Sequence, residues 1–560
     1  MSSVPSPSPL DRLLSDWRPL WLLLLLPVAL ALPALPIDET RYLAVAWEMR
    51  LHGDFLVPHL NGAPYSDKPP LLFWLINLGW LVAGINAWAV RLGVLAASFT
   101  SLFLFERLAR RLAPELPFAR RAALLLLGMI YFALFSSAIM FDVLLATWVL
   151  VALHGALDLD AKRWGRGIFL LSLGFGLGIL TKGPVVLLDA GLVVLLGPWW
   201  SDTARTMRAR WYGALVAGIV GGAIVGLAWA IPAAISGGPA YSDAIFLHQT
   251  VDRMTKSFAH RRPIWWYFAV LPAMLLPWTL ALRAPWAAWC ARLTDSRAAR
   301  FGLAWFVPTF AAFCLVSGKQ PHYLLPILPG LALYLAAVLG SDGARLRGRL
   351  FGAMLVLSGA ALAVLPLCAQ HAHDATLERT TQALHLTDSF LHVIAGLWPL
   401  WGVLAVLIGI ALLWRGREFA TPQPLALASV AAASIGMLAL AQGIGPTVDV
   451  SVAAAKIKQA QESGRPIAHL AWHHGLFEFA GRLTQPLPKV NYADLHEWCV
   501  MHPDGEIVTF YTKYPITAKP ELELPYRFGR IIFWRAADLL NAAATPPKPP
   551  APDEDETPDE

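Results

Sequence analysis

The sequence predicts an all-α polytopic membrane domain followed by a small C-terminal α/β domain. Of its 560 residues, 57% are hydrophobic and only 15% are charged, a balance far from that of a soluble protein. Long apolar runs recur along residues 1–445, and after them the charge density becomes that of an ordinary soluble domain. These observations together predict the two-part architecture.

The apolar runs set the number of predicted membrane crossings. A helix needs roughly 17 to 25 residues to cross about 30 Å of hydrocarbon, so we expect about thirteen transmembrane helices. They are centred near residues 19–36, 88–107, 120–137, 141–157, 167–181, 184–199, 211–235, 264–282, 301–317, 323–340, 350–369, 393–413 and 425–442.

Lysine and arginine in the connecting loops predict the orientation. Every second loop is basic, as in the segment from Arg107 to Arg121, and such loops are retained in the cytoplasm during insertion. The intervening loops would then be external. They include the first loop, residues 37–87, and everything after residue 443.

Two apolar segments need a separate interpretation. Residues 71–84 are too short to span, and a crossing there would break the alternation of basic loops. We therefore expect a helix in or near the outer interface, a position that suits Trp74 and Trp80. The first apolar run leads directly into charged sequence without a small-residue cleavage site, so we expect a retained span and not a signal peptide.

The chain is predicted to divide into three parts. Residues 1–445 would form the membrane domain. Residues 446–540 alternate a helical pattern at 452–462 with strand-like runs such as 466–472, which is typical of an external α/β domain. Residues 541–560 are proline-rich and acidic, and this composition predicts a disordered tail.

Charge and cysteine content argue against other classes. The net charge of +6 arises mostly in the basic loops, so no nucleic-acid partner is predicted. The four cysteines are widely spaced and form no paired motif, so they indicate neither a disulfide framework nor a zinc cluster. His473 and His474 are interpreted as ordinary surface histidines of the C-terminal domain.

The first external loop carries the most informative charges. Asp38 and Glu39 follow directly on the first span, and Lys68 returns to the same surface before two prolines. A purely structural role would also explain each residue. Asp38 would N-cap a helix over 39–51, and Lys68 would anchor the chain at the membrane interface. The functional alternative is a membrane-adjacent carboxylate acting as a general base or metal ligand.

Two further charges interrupt apolar sequence. Asp142 begins an apolar run, where an isolated carboxylate is costly unless it is solvated or paired. Lys182 lies in a Thr-Lys-Gly-Pro segment. Glycine and proline are enough to explain a turn there, and such a turn does not need a lysine. Both charges are therefore candidates for a functional site.

Two later external loops carry polar residues as well. His248 and Arg253 lie close together in one loop. Arginine suits bidentate contact with phosphate, and neutral histidine suits a metal or a sugar hydroxyl. Lys319 lies in a short turn before Tyr323. A solvated loop would explain each of these residues equally well.

The joint placement of these residues is more informative than any one of them. The basic loops alone predict the topology, and this topology places all the candidate charges on the opposite face of the membrane. Carboxylates with a ring of cations at the outer membrane boundary suit a lipid-linked phosphate ester.

These residues also resemble a known family. The motifs that carry the resemblance are Asp-Glu-Thr-Arg-Tyr at 38–42, Lys-Pro-Pro at 68–70, Asp142, Leu-Thr-Lys-Gly-Pro at 180–184, His248 with Arg253, and Ser-Gly-Lys-Gln-Pro-His-Tyr at 317–323. In order and spacing they resemble the bacterial 4-amino-4-deoxy-L-arabinose lipid A transferases. Those enzymes are similar to the protein O-mannosyltransferases and belong to the GT-C class of membrane glycosyltransferases.

The resemblance implies a reaction, a location and roles for the residues. The donor would be a sugar on a polyprenyl phosphate, transferred at the periplasmic face of the bacterial inner membrane. Asp38 would be the catalytic carboxylate and Asp142 a second acidic site residue, while Lys68 and Arg253 would bind the donor phosphate. The remaining implied roles are cavity lining by Glu39, Lys182, Lys319 and Tyr323, and ligation of a divalent metal such as zinc by His248.

The acceptor stays open, because the resemblance weakens after about residue 345. Lipid A phosphate is one candidate, and a protein hydroxyl or another envelope glycan is another. A rival from a different class is a transporter or flippase for a lipid-linked substrate, which would need polar residues at mid-span and on both sides. A second rival is an assembly or sensor protein that works through its external domain. The one-sided cluster favours the transferase.

Overall fold

The computed structural model describes residues 16–246, 261–371, 393–415, 418–510, 518–527 and 529–541. Most of this chain is helical, and it has the character of a multi-pass membrane protein. Within these residues, eight helices are long and apolar enough to cross a membrane. They are Ala87–Leu112, Phe141–Asp160, Trp164–Lys182, Arg208–Phe246, Arg297–Leu315, Pro321–Leu339, Arg349–His371 and Gln423–Glu462.

Other apolar stretches are shorter or interrupted. Two of the three shorter apolar helices, Trp17–Ala31 and Pro399–Arg415, correspond to expected spans. Three further expected spans are broken, and glycine or proline lies near each break, as their poor fit to a helix interior predicts. Their pieces are Leu116–Leu127 with Ile130–Phe135, the π-helical turn Leu187–Gly191 with Leu192–Leu195 and Gly197–Trp200, and Trp266–Met274 with Trp278–Ala281.

Short elements connect these helices. Two antiparallel strand pairs occur in the membrane domain, each with two residues per strand. The connecting helices are Asp202–Thr206 and Trp286–Asp295, and the strand pairs are His59–Leu60 with Ala63–Pro64 and Leu282–Arg283 with Arg345–Leu346.

The first loop contains two helices that pack against each other. Asp38–His52 ends at Gly53, whose φ of 68° suits glycine. Leu71–Ala83 lies against it, and the Asn77 side-chain amide donates to the carbonyl of Ala46 at 3.0 Å. The expected helix at 71–84 is therefore present. It has an exposed apolar edge at Leu78, Leu81 and Val82.

The chain after Gln423–Val448 forms a mixed five-stranded sheet. The strand order is Lys489–Val490, Ile467–Leu470, Glu506–Phe510, Gly529–Arg535 and Leu522–Tyr526. The first three strands are parallel, and Gly529–Arg535 is antiparallel to both its neighbours. The accompanying helices are Ser451–Glu462, Glu478–Gly481, Leu495–Met501 and Ala536–Asn541.

Two apolar layers cover the faces of this sheet. Neighbouring residues alternate between them, as strand geometry requires. Val508 and Phe533 pack with Ile457 on one face, while Ile507 and Trp534 pack on the other. The acidic tail predicted for residues 541–560 lies outside the described residues after position 541.

The sheet-containing part docks on the first loop. The side-chain amide of Asn61 donates to the carbonyl of Leu487 at 2.8 Å and accepts from the same residue's N–H at 2.7 Å. Nearby, Trp80 stacks on Phe479 with ring centroids 5.4 Å apart. This contact places the C-terminal part beside the helices that carry the candidate charges.

Glycines on both sides permit the close approach. A Cβ at Gly475 would lie 2.6 Å from Leu60 Cδ1, and a Cβ at Gly62 would lie 2.7 Å from Pro486 Cγ. Both glycines also have positive φ, 74° and 77° respectively. The docking surface is therefore close-packed from both directions.

Candidate functional site

Asp38 occupies the first position of its helix and does not act as the predicted N-cap. Ile37 is the capping residue, and it makes no side-chain capping bond. The Asp38 carboxylate instead accepts hydrogen bonds from Arg41 Nη2 at 2.6 Å and from the Tyr42 hydroxyl at 3.3 Å. Positions i+3 and i+4 lie on the same helix face, so the helix itself assembles this group.

The charge state of Asp38 follows from its neighbours. Burial raises the pKa of this carboxyl, but the positive charges of Arg41 and Lys68 outweigh burial and hold the pKa below its ordinary value. Burial raises the pKa of Tyr42, with the Asp38 charge adding to the effect. Asp38 is therefore an anion at neutral pH, and Tyr42 keeps its proton to donate.

Asp142 and Lys182 form a second acid–base pair. Asp142 lies in the first turn of Phe141–Asp160 and Lys182 is the last residue of Trp164–Lys182. Their charged atoms are 2.6 Å apart, and the Asp142 side chain is buried. The Lys182 ammonium also lies 4.4 Å from the ring centroid of Tyr323, within cation–π range.

The two pairs belong to one site. The ring of Tyr42 meets that of Phe141 edge to face at 4.9 Å, and Phe141 directly precedes Asp142. His322 lies within electrostatic reach of four predicted charges, namely Asp38, Lys68, Asp142 and Lys182. The structure thus brings together Asp38, Lys68, Asp142, Lys182 and Tyr323, and it adds Arg41, Tyr42 and His322.

Glu39 and Lys319 are engaged elsewhere. Glu39 forms a buried ion pair with Arg91 at 2.7 Å. The Lys319 ammonium, which is also buried, donates to the backbone carbonyl oxygens of Arg262, at 3.0 Å, and Val316. These contacts hold the backbone around the site, and cavity lining by the two side chains stays a prediction.

His248 and Arg253 lie outside the described residues. Their predicted roles at a metal and at the donor phosphate are therefore untested. Within the ranges the structure describes, no three histidine, cysteine, aspartate or glutamate residues converge as a metal site.

Sequence reasoning missed several buried charges, and two of them lie near the site. Arg91 is fully buried within Ala87–Leu112, and Asp189 is fully buried in the π-helical turn Leu187–Gly191. Neither Asp189 carboxylate oxygen has a hydrogen-bond partner among the residues described, and it lies within electrostatic reach of Lys182 and Asp142. An isolated charge in an apolar run was the available signal.

The C-terminal part closes one side of the site. Trp472 and His474 line a cavity of about 160 Å³ together with Arg41, Tyr65 and Asp67 of the first loop. Arg41 also pairs with Asp38. The cavity is thus adjacent to the catalytic candidate, and both parts of the chain build it.

The surface assignment of His473 is wrong. Its side chain is buried, and Nδ1 lies 3.2 Å from Glu478 Oε1. Ala471 and His474 adopt left-handed backbone conformations, and this tight turn directs His473 inward. Burial raises the pKa of Glu478 to about 7 and lowers that of His473 to about 4, so at neutral pH the histidine is neutral and Glu478 is close to its midpoint.

Comparisons with known proteins show what this chain is similar to. Residues 67–229 match the family described as dolichyl-phosphate-mannose-protein mannosyltransferase. The undecaprenyl phosphate-alpha-4-amino-4-deoxy-L-arabinose arabinosyl transferase of Edwardsiella ictaluri is 29% identical over 73% of this chain and 78% of its own length. The enzyme of the same name from Erwinia tasmaniensis is 29% identical over 89% of this chain and 94% of its own.

A solved structure shows the same fold. The crystal structure of ArnT from Cupriavidus metallidurans bound to undecaprenyl phosphate superposes with a TM-score of 0.71 at 18% identity. The superposition covers 92% of this chain and 97% of the other.

The chain thus has the fold of ArnT, and over residues 67–229 its sequence is similar to the protein mannosyltransferase family. Over most of its length it is similar to the undecaprenyl phosphate-aminoarabinose arabinosyl transferases.

Proposed function

We propose that this chain transfers 4-amino-4-deoxy-L-arabinose from undecaprenyl phosphate to lipid A. The observation that carries the proposal is the convergence of the Asp38–Arg41 and Asp142–Lys182 pairs near Lys68 and His322. Carboxylates and cations in one place suit a glycosyl phosphate, and the relatives' names supply the sugar and the carrier.

The cations would serve the leaving group. In the transfer, an oxygen of the acceptor phosphate bonds to the sugar's anomeric carbon while the bond from that carbon to the donor phosphate oxygen breaks, and undecaprenyl phosphate leaves with the electron pair. Lys68 lies near Asp38, and with Arg253 it would stabilise the charge that develops on that phosphate. The lipid tail would remain in the bilayer throughout.

The state of Asp38 favours a phosphate acceptor. A carboxylate whose pKa is lowered is a weak base, so it is poorly suited to remove a proton from a hydroxyl. A lipid A phosphate is already ionised and needs no such base. Asp38 would instead orient Arg41 and the sugar. A protein hydroxyl or another envelope glycan is the alternative acceptor.

The proposed topology has about thirteen membrane crossings. This number assumes that each crossing helix contains roughly 17 to 25 residues. Eight long helices, the two shorter helices Trp17–Ala31 and Pro399–Arg415, and three broken helical stretches support this count. We place the site and the C-terminal α/β domain in the periplasm, because the basic loops belong in the cytoplasm.

Cysteine labelling tests the orientation. A single cysteine in place of Lys68 should react with an impermeant reagent on intact spheroplasts, and one in place of Arg120 should react only after lysis. Labelling at position 68 that requires lysis would invert the topology. Zinc at His248 is a separate proposal, tested by metal analysis of the purified wild type against His248→Ala.

An in vitro assay tests the function. The purified full-length chain would receive undecaprenyl phosphate-aminoarabinose and lipid A, and mass spectrometry would follow both lipids. We expect lipid A to gain one aminopentose per transfer while free undecaprenyl phosphate appears. Transfer to a protein or another glycan in its place would favour the alternative acceptor. Donor translocation across vesicles without any sugar transfer would favour the transporter.

A further inference from the structure

A second charged cluster lies at the other end of the helices that carry the site. Asp142 and Asp158 are on the same helix, Phe141–Asp160, and their separation corresponds to about 24 Å at 1.5 Å per residue. Lys182 and Arg166 are separated in the same way along Trp164–Lys182. The cluster is therefore remote from the proposed transfer reaction.

Five arginines surround a cavity of about 490 Å³ at this end. We call it the arginine pocket, and its charged lining consists of Arg107, Arg110, Arg111, Arg163, Arg166 and Asp158. It lies between three candidate spans, Ala87–Leu112, Phe141–Asp160 and Trp164–Lys182.

Positive charge in the pocket exceeds negative charge. Asp158 alone pairs with Arg111 at 2.5 Å, Arg163 at 2.5 Å and Arg166 at 3.0 Å. Arg107 lies over the ring of Phe103 at 5.2 Å. One carboxylate cannot neutralise three guanidinium groups, so the pocket suits an anionic ligand.

The ion pairs of Glu106 do not remove this excess of positive charge. Arg110 pairs with Glu106, but Glu106 also pairs with Arg18. Arg18 pairs with Asp16 as well, so among the described residues the five pocket arginines have two carboxylates beside them, Asp158 and Glu106. An added anion would bring the charge of the region closer to balance.

Apart from His154, the remaining lining is apolar, and this indicates the source of the anion. Leu104, Val151 and Leu170 line the same cavity and belong to three different membrane helices. All three side chains are partly exposed. A free phosphate ion would gain nothing from these groups, whereas a lipid would place its acyl chains along them.

We propose that the arginine pocket binds the phosphate-bearing headgroup of an anionic phospholipid. Arginine-rich pockets between membrane helices are suited to such headgroups. The general bias toward basic cytoplasmic loops requires arginines on this side, but it does not require five of them to surround one cavity. The bound lipid would cross-link three helices whose opposite ends carry Asp142 and Lys182.

Lipid binding to the purified full-length protein tests this inference. The protein would be delipidated in a neutral detergent, and native mass spectrometry would measure its affinity for phosphatidylglycerol, phosphatidylethanolamine and inorganic phosphate. The variants are Arg107→Gln, which breaks no ion pair within the described chain, and Arg163→Gln/Arg166→Gln. The matched control is Arg345→Gln/Arg347→Gln, which removes two arginines that also share one carboxylate, Glu418.

We expect wild type to prefer phosphatidylglycerol over phosphatidylethanolamine by about tenfold or more. The pocket variants should lose most of that preference, whereas the control keeps it. Equal affinity for the two lipids, an unchanged preference in the pocket variants, or equally tight binding of inorganic phosphate would overturn the proposal. Sugar transfer by Arg107→Gln within about twofold of wild type would show that the variant is folded.

Discussion

Asp38 and Glu39 are consecutive carboxylates on one helix, and their surroundings differ sharply. The Glu39 carboxylate is buried and accepts from both Arg91 guanidinium nitrogens and from the backbone N–H groups of Leu35 and Ile139, each at 2.8 Å. The Asp38 side chain is 41% exposed and pairs with Arg41.

This difference is the one expected between a structural carboxylate and a reactive one. Four hydrogen bonds occupy the oxygens of Glu39 and fix the chain on either side of the site. Asp38 keeps accessible oxygen surface and faces Arg41, Tyr42 and Lys68. Adjacent positions on one helix point in different directions, about 100° apart, which explains how neighbours receive such different partners.

The largest effect is expected when a carboxylate proposed to act in the reaction loses its charge. Asp38→Asn or Asp142→Asn should reduce the rate of sugar transfer by about two orders of magnitude or more, and Asp38→Asn, at the more exposed of the two carboxylates, should leave thermal stability close to wild type. Asp202→Asn is the control, since its side chain is 92% exposed and pairs with Arg205 at the surface. Turnover near wild type in both site variants would assign these carboxylates to packing.

Glu39→Gln should remove the buried ion pair with Arg91 and lower stability. It leaves Arg91 as a buried cation without its counterion, which costs about 3–5 kcal/mol. Detergent thermal melts should show the loss, and activity should fall only as folded protein is lost. Adding Arg91→Met removes the orphaned charge and should recover part of the stability. A stable Glu39→Gln enzyme with no activity would instead place Glu39 in the chemistry.

Lys68→Ala and Arg253→Ala test the proposed contacts with the donor phosphate and leave both carboxylates in place. Losing a charge-assisted contact to phosphate costs about 1.5–3 kcal/mol. Productive use of the donor should therefore fall about ten- to a hundredfold, with much less change in the acceptor's dependence. Initial rates with each lipid varied in turn will show it. Lys458→Ala, at an exposed pair with Glu462, should behave as wild type.

The smallest expected effect concerns Glu478, a buried carboxylate whose described partner is His473 and not an arginine. Burial raises its folded pKa to about 7, above the unfolded value. Its contribution to stability is therefore fully present at low pH and is lost as pH rises through the folded pKa. Glu478→Gln should stabilise the domain by on the order of 2 kcal/mol more at pH 8 than at pH 5.

Thermal melts of the full-length chain at the two pH values, followed by tryptophan fluorescence, measure this difference. The control is Glu497→Gln, an exposed residue of the same domain. A stabilisation that is equal at pH 5 and pH 8 would mean that Glu478 does not titrate in this range.

The sequence could predict the grouping of Asp38, Lys68, Asp142 and Lys182, because span length and basic loops place their segments on one face. It could not distinguish Asp38 from Glu39. The partner that separates them, Arg91, lies 52 residues away in the chain, and only tertiary packing brings it there. Likewise, His473 is buried by a left-handed turn that no hydrophobic pattern encodes.

The glycines at the docking surface restrict how this protein can be recombined with its relatives. Gly475 reaches Leu60 from one side, and Gly62 reaches Pro486 from the other, so neither surface tolerates a bulkier partner unless the other changes too. A chimaera that exchanged the C-terminal domain alone would meet a mismatched first loop. Functional exchange would require residues 38–65 to move together with residues 471–490, as one inherited unit.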